Sequence, residues 1–278
     1  MDRRKYLGLL SGTLALSGCS GTDADNPRPQ PETNDTPPSV GEFSFPEGLS
    51  ESGIEDPLAI AKATQNLLSE SNYSSIQRRE VESAEQPSLE QREYIGDVKN
   101  QKAIHREISP YTRNDQEGVA VVDAYLSDTS GVIRNEWSGE FEDETSYERF
   151  KADSFGEHHQ APGFLGNITM EQITNLLSIS DGWKPVETDF RLGKTIIIYK
   201  ATGTPKQGDM VTYTGGTAMI DTTGILHEIT LPFEGVEDDA FSGVSEYSLR
   251  ALEEVSVSKP EWVETAREET TPSPSESE

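Results

Sequence analysis

The stretch Val119–Leu126, VAVVDAYL, indicates a β-rich fold, because it alternates like a β-strand that has one face covered. Successive side chains of a strand point to opposite faces, so one set packs into a core. Similar runs of β-branched and aromatic residues lie on both sides of it. We predict further strands at Tyr73–Val81, Leu89–Val98, Ala103–Ile108, Val132–Trp137, Trp183–Phe190, Lys194–Gly203, Met210–Ile220, Ile225–Pro232 and Ser245–Val257.

Two helices are predicted among these strands. Asp56-Pro57 opens the first, because proline is favoured at the first helical position, and apolar residues follow at helical spacing to about Ser71. Thr169 and Gln172 form a capping box for the second helix, which stops near Ser180. Each helix has an apolar side that can pack on a sheet.

The order of these elements predicts an α+β fold with a single large curved antiparallel sheet, a half-barrel, and two main helices. Leu192-Gly193 and Thr222–Gly224 lie at expected hairpin turns. The polar stretch Glu140–Gly166 has little pattern. A doubly wound α/β sheet is excluded, because the strands do not alternate with helices.

The chain is strongly acidic. It has 278 residues, with 50 Asp and Glu against 23 Lys and Arg, and a net charge of -27. This charge opposes binding to nucleic acid or to an anionic membrane surface. Acidity spread over the whole length predicts a haloarchaeal protein, because in about 1 M salt a Debye length of about 3 Å screens the self-repulsion. An ordinary acidic secreted protein is the alternative.

Residues 1–18 form a predicted signal peptide, with a basic start and an apolar run too short to span a membrane. The adjacent Arg3 and Arg4, followed by Lys5 and Tyr6, resemble the twin-arginine export signal, which delivers folded proteins. Tyr6 stands where that family usually has Phe. The alternative is a Sec signal that happens to contain two arginines.

Leu16, Ser17, Gly18 and Cys19 resemble the lipobox of bacterial and archaeal lipoproteins in all four positions. The resemblance implies cleavage before Cys19 and a lipid on its thiol. Cys19 is also the only cysteine, so no intrachain disulfide can form. We therefore expect a protein anchored through this lipid to the outer face of the cytoplasmic membrane.

The flanks of the domain are predicted to be disordered. Residues 19–42 form an acidic, proline-rich tether, and residues 259–278 form an acidic tail without periodicity. The folded domain is therefore expected at residues 43–258.

The layout resembles the LolA and LppX/LprG superfamily of lipoprotein carriers. The resemblance rests on the helix before Tyr73, on the helix before Gly182-Trp183, and on the hairpin Gly216–Leu226 with Asp221 and Gly224 at its turn. It implies a half-barrel that wraps a hydrophobic cavity closed by helices. The polar stretch Glu140–Gly166 departs from the compact pattern of the family.

A curved sheet would turn one set of apolar side chains inward. By alternation the predicted cavity set is Val119, Val121, Ile196, Ile198, Val211, Tyr213, Ile225 and Ile229. A cavity for a lipid or another hydrophobic small molecule is one interpretation. An ordinary core that the helices fill is the other.

No catalytic motif, metal site or cofactor site is predicted. Glu157-His158-His159 has no third histidine or cysteine near it in sequence, and no Gly-x-Ser-x-Gly context is present. Asn34, Asn72 and Asn167 begin Asn-x-Ser/Thr triplets and are predicted N-glycosylation sites.

Two functions remain open from the sequence. The first is a non-enzymatic lipoprotein that binds or carries a hydrophobic ligand, with no nucleic-acid partner and an unknown protein partner. The second is a structural or interaction lipoprotein of the envelope with a filled core. A substrate-binding protein of a transporter is disfavoured, because two α/β lobes are absent from the pattern.

Overall fold

The structure is a computed structural model. It describes residues 36–83, 87–128, 130–151, 154–156, 168–204, 211–236 and 241–270. The predicted signal peptide, most of the predicted tether and the last eight residues of the predicted tail lie outside the described residues.

The described chain contains fourteen strands. They are β1 (Leu49–Ser50), β2 (Gly53–Ile54), β3 (Tyr73–Ser83), β4 (Ser88–Asp97), β5 (Lys102–Arg113), β6 (Gln116–Ser127), β7 (Ser130–Gly139), β8 (Glu144–Lys151), β9 (Trp183–Arg191), β10 (Lys194–Ala201), β11 (Val211–Tyr213), β12 (Thr217–Asp221), β13 (Leu226–Gly235) and β14 (Phe241–Leu252). Strands β1 and β2 form a small hairpin of their own.

The other twelve strands form one antiparallel sheet. Their order is β8-β7-β6-β5-β4-β3-β14-β13-β12-β10-β9, and β11 pairs with β13 beside this path. The sheet is open, because β8 and β9 lie at its two ends. The predicted α+β fold with a single large antiparallel sheet is confirmed.

Strand β14 joins two halves of the sheet. On one side it pairs with β3, from Phe241 opposite Ser83 to Leu252 opposite Tyr73. On the other side it pairs with β13, with Tyr247 opposite Ile229. The last strand of the sheet is therefore central in space although it comes last in the chain.

Helix α1 (Pro57–Glu70) begins as the sequence predicts. The Asp56 carboxylate accepts hydrogen bonds from the backbone N–H groups of Leu58, at 2.9 Å, and Ala59, at 3.2 Å. These bonds satisfy two donors that have no partner within the helix. Further along, the Thr64 hydroxyl accepts a hydrogen bond of 2.9 Å from the backbone N–H of Leu226, which ties α1 to β13.

Helix α2 (Met170–Leu177) has the predicted capping box. The Thr169 hydroxyl accepts a hydrogen bond of 3.1 Å from the backbone N–H of Gln172. The Gln172 side chain in turn accepts one of 2.8 Å from the backbone N–H of Thr169. This reciprocal pair fixes the start of a helix that is only eight residues long.

Helices α1 and α2 pack against each other and cover one side of the sheet, here called the inner face. The opposite side is the outer face. Apolar side chains of both helices and of the sheet form the main core. It includes Ile60, Ala61 and Leu68 of α1, Ile173 and Leu177 of α2, and Tyr73, Tyr94, Leu126, Ile197, Tyr199, Ile220, Ile229, Leu231 and Leu249 of the sheet.

A third helix, α3 (Trp262–Glu269), packs on the outer face. Its Val263 and Ala266 are fully buried against Tyr125 and Val132 of the sheet. The prediction of disorder throughout 259–278 is wrong for this helix. Its few apolar residues lie at helical spacing and cover an apolar patch of the sheet, which the local acidic composition hides.

Two further sequence predictions need correction. The polar stretch Glu140–Gly166 contains the edge strand β8, whose charged side chains suit a strand at the end of a sheet. The predicted strand Met210–Ile220 is two strands, β11 and β12. A Cβ on Gly216 would lie 2.7 Å from Leu231 Cδ2, so the chain passes close to β13 where the strand is interrupted.

We predict that the packing of α1 on the sheet contributes strongly to stability. Ile60→Ala should lower the free energy of unfolding by about 2 to 5 kcal/mol, because Ile60 is fully buried and the change leaves a cavity. Leu58→Ala on the same helix is the control, since Leu58 is 40% exposed. Urea unfolding followed by circular dichroism measures both. Equal effects of the two changes would contradict the described packing.

Candidate ligand-binding groove

An open groove of about 430 Å³ lies between α2 and the inner face of the sheet. One wall comes from α2 and the turn after it, through Gln172, Asn175, Leu176 and Ile179. The floor comes from three adjacent strands. It contains Gln77 and Arg79 of β3, Glu90 and Arg92 of β4, and Ser245 and Tyr247 of β14, with Tyr213 of β11 beside them.

The groove forms where the inner face changes from apolar to polar. Along β3 the inner positions begin with Tyr73, which stacks on Tyr94 at 5.5 Å between ring centroids. Four and six residues further along β3, the inner positions are Gln77 and Arg79. Helix α2 ends near this change, so polar floor residues lie beside Leu176 and Ile179.

Two of the three arginines that line the groove, Arg79 and Arg92, have different surroundings. The Arg92 guanidinium forms an ion pair of 3.2 Å with the Glu107 carboxylate of β5. The Arg79 guanidinium carbon lies 5.4 Å from the centroid of the Phe233 ring, a cation–π arrangement. The charge of Arg92 is therefore compensated by a carboxylate, whereas that of Arg79 faces an aromatic ring.

Burial controls the titration of the inner aromatic and imidazole groups. It raises the pKa of Tyr247 far above the ordinary range, so this phenol stays protonated. It also lowers the pKa of His105, on β5, to about 4, although the nearby Glu107 acts in the opposite direction. Both side chains are therefore neutral near neutral pH.

The described residues that line the groove include no histidine, cysteine or aspartate. They offer guanidinium, amide and hydroxyl groups, together with the carboxylates of Glu90 and Glu246, next to an apolar wall and two tyrosine rings. This combination suits the binding of a molecule with one apolar part and one polar part.

The predicted cavity residues divide between the two faces. Ile225, Ile229 and Tyr213 belong to the helix-covered core or pack against it, and Tyr213 also lines the groove. Val211 is half-buried, and its side chain faces the same side of β11 as that of Tyr213. Of the eight predicted residues, only Tyr213 lines the groove.

The other four predicted residues are placed on the outer face, which is a correction. Ile197 and Tyr199 belong to the core, so their neighbours Ile196 and Ile198 point the other way. Ala124 and Leu126 also belong to the core, so Val119 and Val121, which alternate with them along β6, point away from it. Val119 and Val121 lie on the same face of β6 as Asp123, which forms ion pairs with Arg106 and Arg134.

Sequence reasoning missed Arg79, Arg92, Gln77 and Tyr247. A signal was present in β3, YSSIQRREVES. The residues on the same face as Tyr73 change from apolar to polar at Gln77 and Arg79. Such a change predicts that the inner face is not filled by core packing along its whole length.

Asp221, part of the family resemblance, organises the β12–β13 turn. Its carboxylate accepts hydrogen bonds from the backbone N–H groups of Thr223, at 2.8 Å, and Ile225, at 3.0 Å, and lies 3.1 Å from His227 Nε2. Burial opposes ionisation, but these hydrogen bonds hold the pKa of Asp221 below its usual value. The role of this buried cluster is to fix a hairpin.

The structure argues against glycosylation at Asn72. The Asn72 side-chain nitrogen donates hydrogen bonds to the Asp97 carboxylate, at 2.9 Å, and to the Val255 carbonyl, at 2.8 Å, and the residue is buried. A glycan on this nitrogen requires loss of that packing. Asn34 and Asn167 lie outside the described residues and stay predictions.

Several other predicted features lie outside the described residues as well. They are Arg3, Arg4, Leu16, Ser17, Gly18, Cys19, His158 and His159. Within the described ranges, no cluster of three or more His, Cys, Asp or Glu side chains is suited to hold a metal ion. No helix in the same ranges combines the length and apolar character needed to cross a membrane.

The chain is similar at low sequence identity to several solved structures. LprF from Mycobacterium bovis is 8% identical, with 75% of this chain and 98% of that chain covered and a TM-score of 0.36. A LolA superfamily protein from Nitrosomonas europaea is 7% identical, with 74% and 96% covered and a TM-score of 0.21. A DUF1329 family protein from Desulfovibrio piger is 12% identical, with 73% and 93% covered and a TM-score of 0.19.

These scores are too low to carry a functional argument. No known protein family matches the chain, and no curated protein matches it either.

We predict that His105 makes stability depend on pH. Its folded pKa of about 4 lies below the ordinary 6.5, so the unfolded chain binds more protons between these values. The contribution is fully present above about pH 6.5 and is lost as the pH falls towards about 4. It amounts to about 3 kcal/mol. Urea unfolding of the native chain and of His105→Gln across this window should give curves that diverge, and parallel curves would refute the burial of a neutral His105.

Proposed function

We propose that this chain is a lipid-anchored, non-enzymatic protein of the outer face of the cytoplasmic membrane, and that it binds an amphipathic or hydrophobic ligand in the groove under α2. The observation that carries the proposal is an open groove of about 430 Å³ with an apolar wall and a polar floor. Ligand pockets usually have volumes of about 300 to 1,000 Å³ and combine these two kinds of lining.

The wall of the groove supports an apolar part of the ligand. Leu176 is half-buried at the end of α2, and Ile179 follows in the turn after it. Tyr213 contributes an aromatic ring that packs edge-on against Phe233, with 6.3 Å between ring centroids. An apolar chain placed there would remove these side chains from water, which favours binding.

A structural or interaction protein with a filled core is the second candidate. The observation that favours it is the extent of the main core, which occupies most of the inner face from Leu126 to Tyr199. This candidate predicts no co-purifying lipid in solvent extracts studied by mass spectrometry, and no saturable binding of an apolar probe.

Binding of an uncharged apolar fluorophore separates the two candidates. We expect N-phenylnaphthylamine to bind the purified full-length chain, with Leu176→Glu weakening binding about tenfold or more, because a carboxylate in the apolar wall must be desolvated. Met170→Glu is the control, since Met170 begins the same helix and is 40% exposed. Circular dichroism confirms folding of both variants. Absence of saturable binding to the native chain would refute the proposal.

The membrane anchor is proposed from the sequence. Arg3 and Arg4 would direct export, and Cys19 would carry the lipid after cleavage. In this arrangement the ligand would reach the groove from the membrane or from the surrounding solution.

Loss of the only cysteine should release the protein from membranes. We expect Cys19→Ser to be recovered in the soluble fraction or as uncleaved precursor, because no other thiol can accept a lipid. Ser20→Ala is the control, since it leaves Leu16–Cys19 intact. Cell fractionation followed by immunoblotting measures both. Equal membrane association of Cys19→Ser and the native chain would rule out the anchor and leave the groove unaffected.

A further inference from the structure

Arg79 is an unusual cation for so acidic a chain. Acidic residues outnumber basic ones by 50 to 23, and most of the described arginines form an ion pair with a carboxylate. In the described part of the chain, no carboxylate comes within 4.0 Å of the Arg79 guanidinium. Glu90 is opposite Arg79 in the register of β3 and β4, but it is exposed and forms no ion pair with it. Among the described residues, the Arg79 guanidinium beside the groove therefore has no ion-pair partner.

Tyr247 supplies an independent observation on the neighbouring strand. It is 1% exposed and lines the groove, and its buried hydroxyl has no hydrogen-bond partner among the described residues. A buried hydroxyl without a partner is costly, and such groups are rare in folded proteins. An acceptor brought by a ligand would satisfy it.

The register brings these two groups together. Ser245 is opposite Arg79, and Gln77 is opposite Tyr247, so Arg79 and Tyr247 are diagonal neighbours on the inner face. Diagonal positions of this kind are about 7 to 8 Å apart, within reach of long side chains. An oxygen anion placed between them can accept a hydrogen bond from each, and it compensates the guanidinium charge.

We propose that the groove selects an amphiphile whose head group is an oxyanion, a carboxylate or a phosphate, and that Arg79 and Tyr247 hold this head while the chain lies against Leu176 and Ile179. The inference rests on the proposed function and adds the chemical class of the ligand. Arg92 is a weaker candidate for the same role, because Glu107 already compensates its charge.

The test compares amphiphiles that share one alkyl chain and differ in the head group. Calorimetry would measure binding of decanoate, decyl phosphate and decanol to the full-length chain near neutral pH, below the concentrations at which they aggregate. We expect at least one anion to bind about tenfold or more tightly than decanol. The comparison of decanoate with decyl phosphate identifies which oxyanion the site prefers.

Variants locate the head group. Arg79→Gln and Tyr247→Phe should each weaken binding of the preferred anion and leave decanol unchanged, whereas Arg79→Lys should restore part of the loss. Arg113→Gln is the control, because it removes the same charge from a side chain that is 51% exposed, pairs with Glu144 and does not line the groove. Circular dichroism checks that each variant is folded. If Arg79→Gln does not fold, Tyr247→Phe still tests the site, because it keeps the packing of the ring.

The outcomes separate this inference from the proposed function. Equal binding of decanol and both anions, unchanged in Arg79→Gln and Tyr247→Phe, would overturn the oxyanion site and leave a binding groove for apolar ligands. Absence of binding by all three amphiphiles and by N-phenylnaphthylamine would overturn the proposed function and the oxyanion site with it.

Discussion

The inner face of the sheet is larger than its two helices can cover, and the rest of the structure follows from this mismatch. The eleven strands of the main path would span about 50 Å at the usual spacing between strands. Helices α1 and α2 have 14 and 8 residues, which correspond to lengths of about 21 and 12 Å. Part of the inner face must therefore be protected by something else or be compatible with water.

The chain meets this requirement by changing the character of the inner face along its strands. Under the helices the inner positions are tyrosines and aliphatic residues, with Tyr73 stacked on Tyr94. Beyond the end of α2 they become Gln77, Arg79 and Arg92. The boundary between the two regions is the groove, where an apolar wall and a polar floor meet. An amphipathic ligand matches this boundary better than a purely apolar one.

Local signals in the sequence predict the helices and the fold class well. Asp56-Pro57 and the Thr169–Gln172 capping box fix helix starts through contacts within four residues, so no knowledge of the fold is needed. It is harder to predict which face of the sheet each strand residue occupies. In Ile196–Tyr199 every residue is apolar, so alternation cannot say which pair faces the helices, and the answer depends on pairing with β12. In Val119–Leu126, Asp123 marks the positions that face outward. Val119 and Val121 occupy the same face, and their apolar side chains favour the opposite, inward assignment.

The central position of β14 sets the order in which the fold can be completed. Strands β3 to β8 each pair with the next strand along the chain, so this half can form from local contacts. The pairing of β3 with β14 joins the two halves and brings together Tyr73 and Leu252, which are far apart in sequence. This pairing cannot form until the end of the domain has been synthesised. Closing so large a loop is slow, because its entropy is lost before the pairing compensates. The floor of the groove contains β3 and β14 side by side, so the binding site is among the last parts of the molecule to exist.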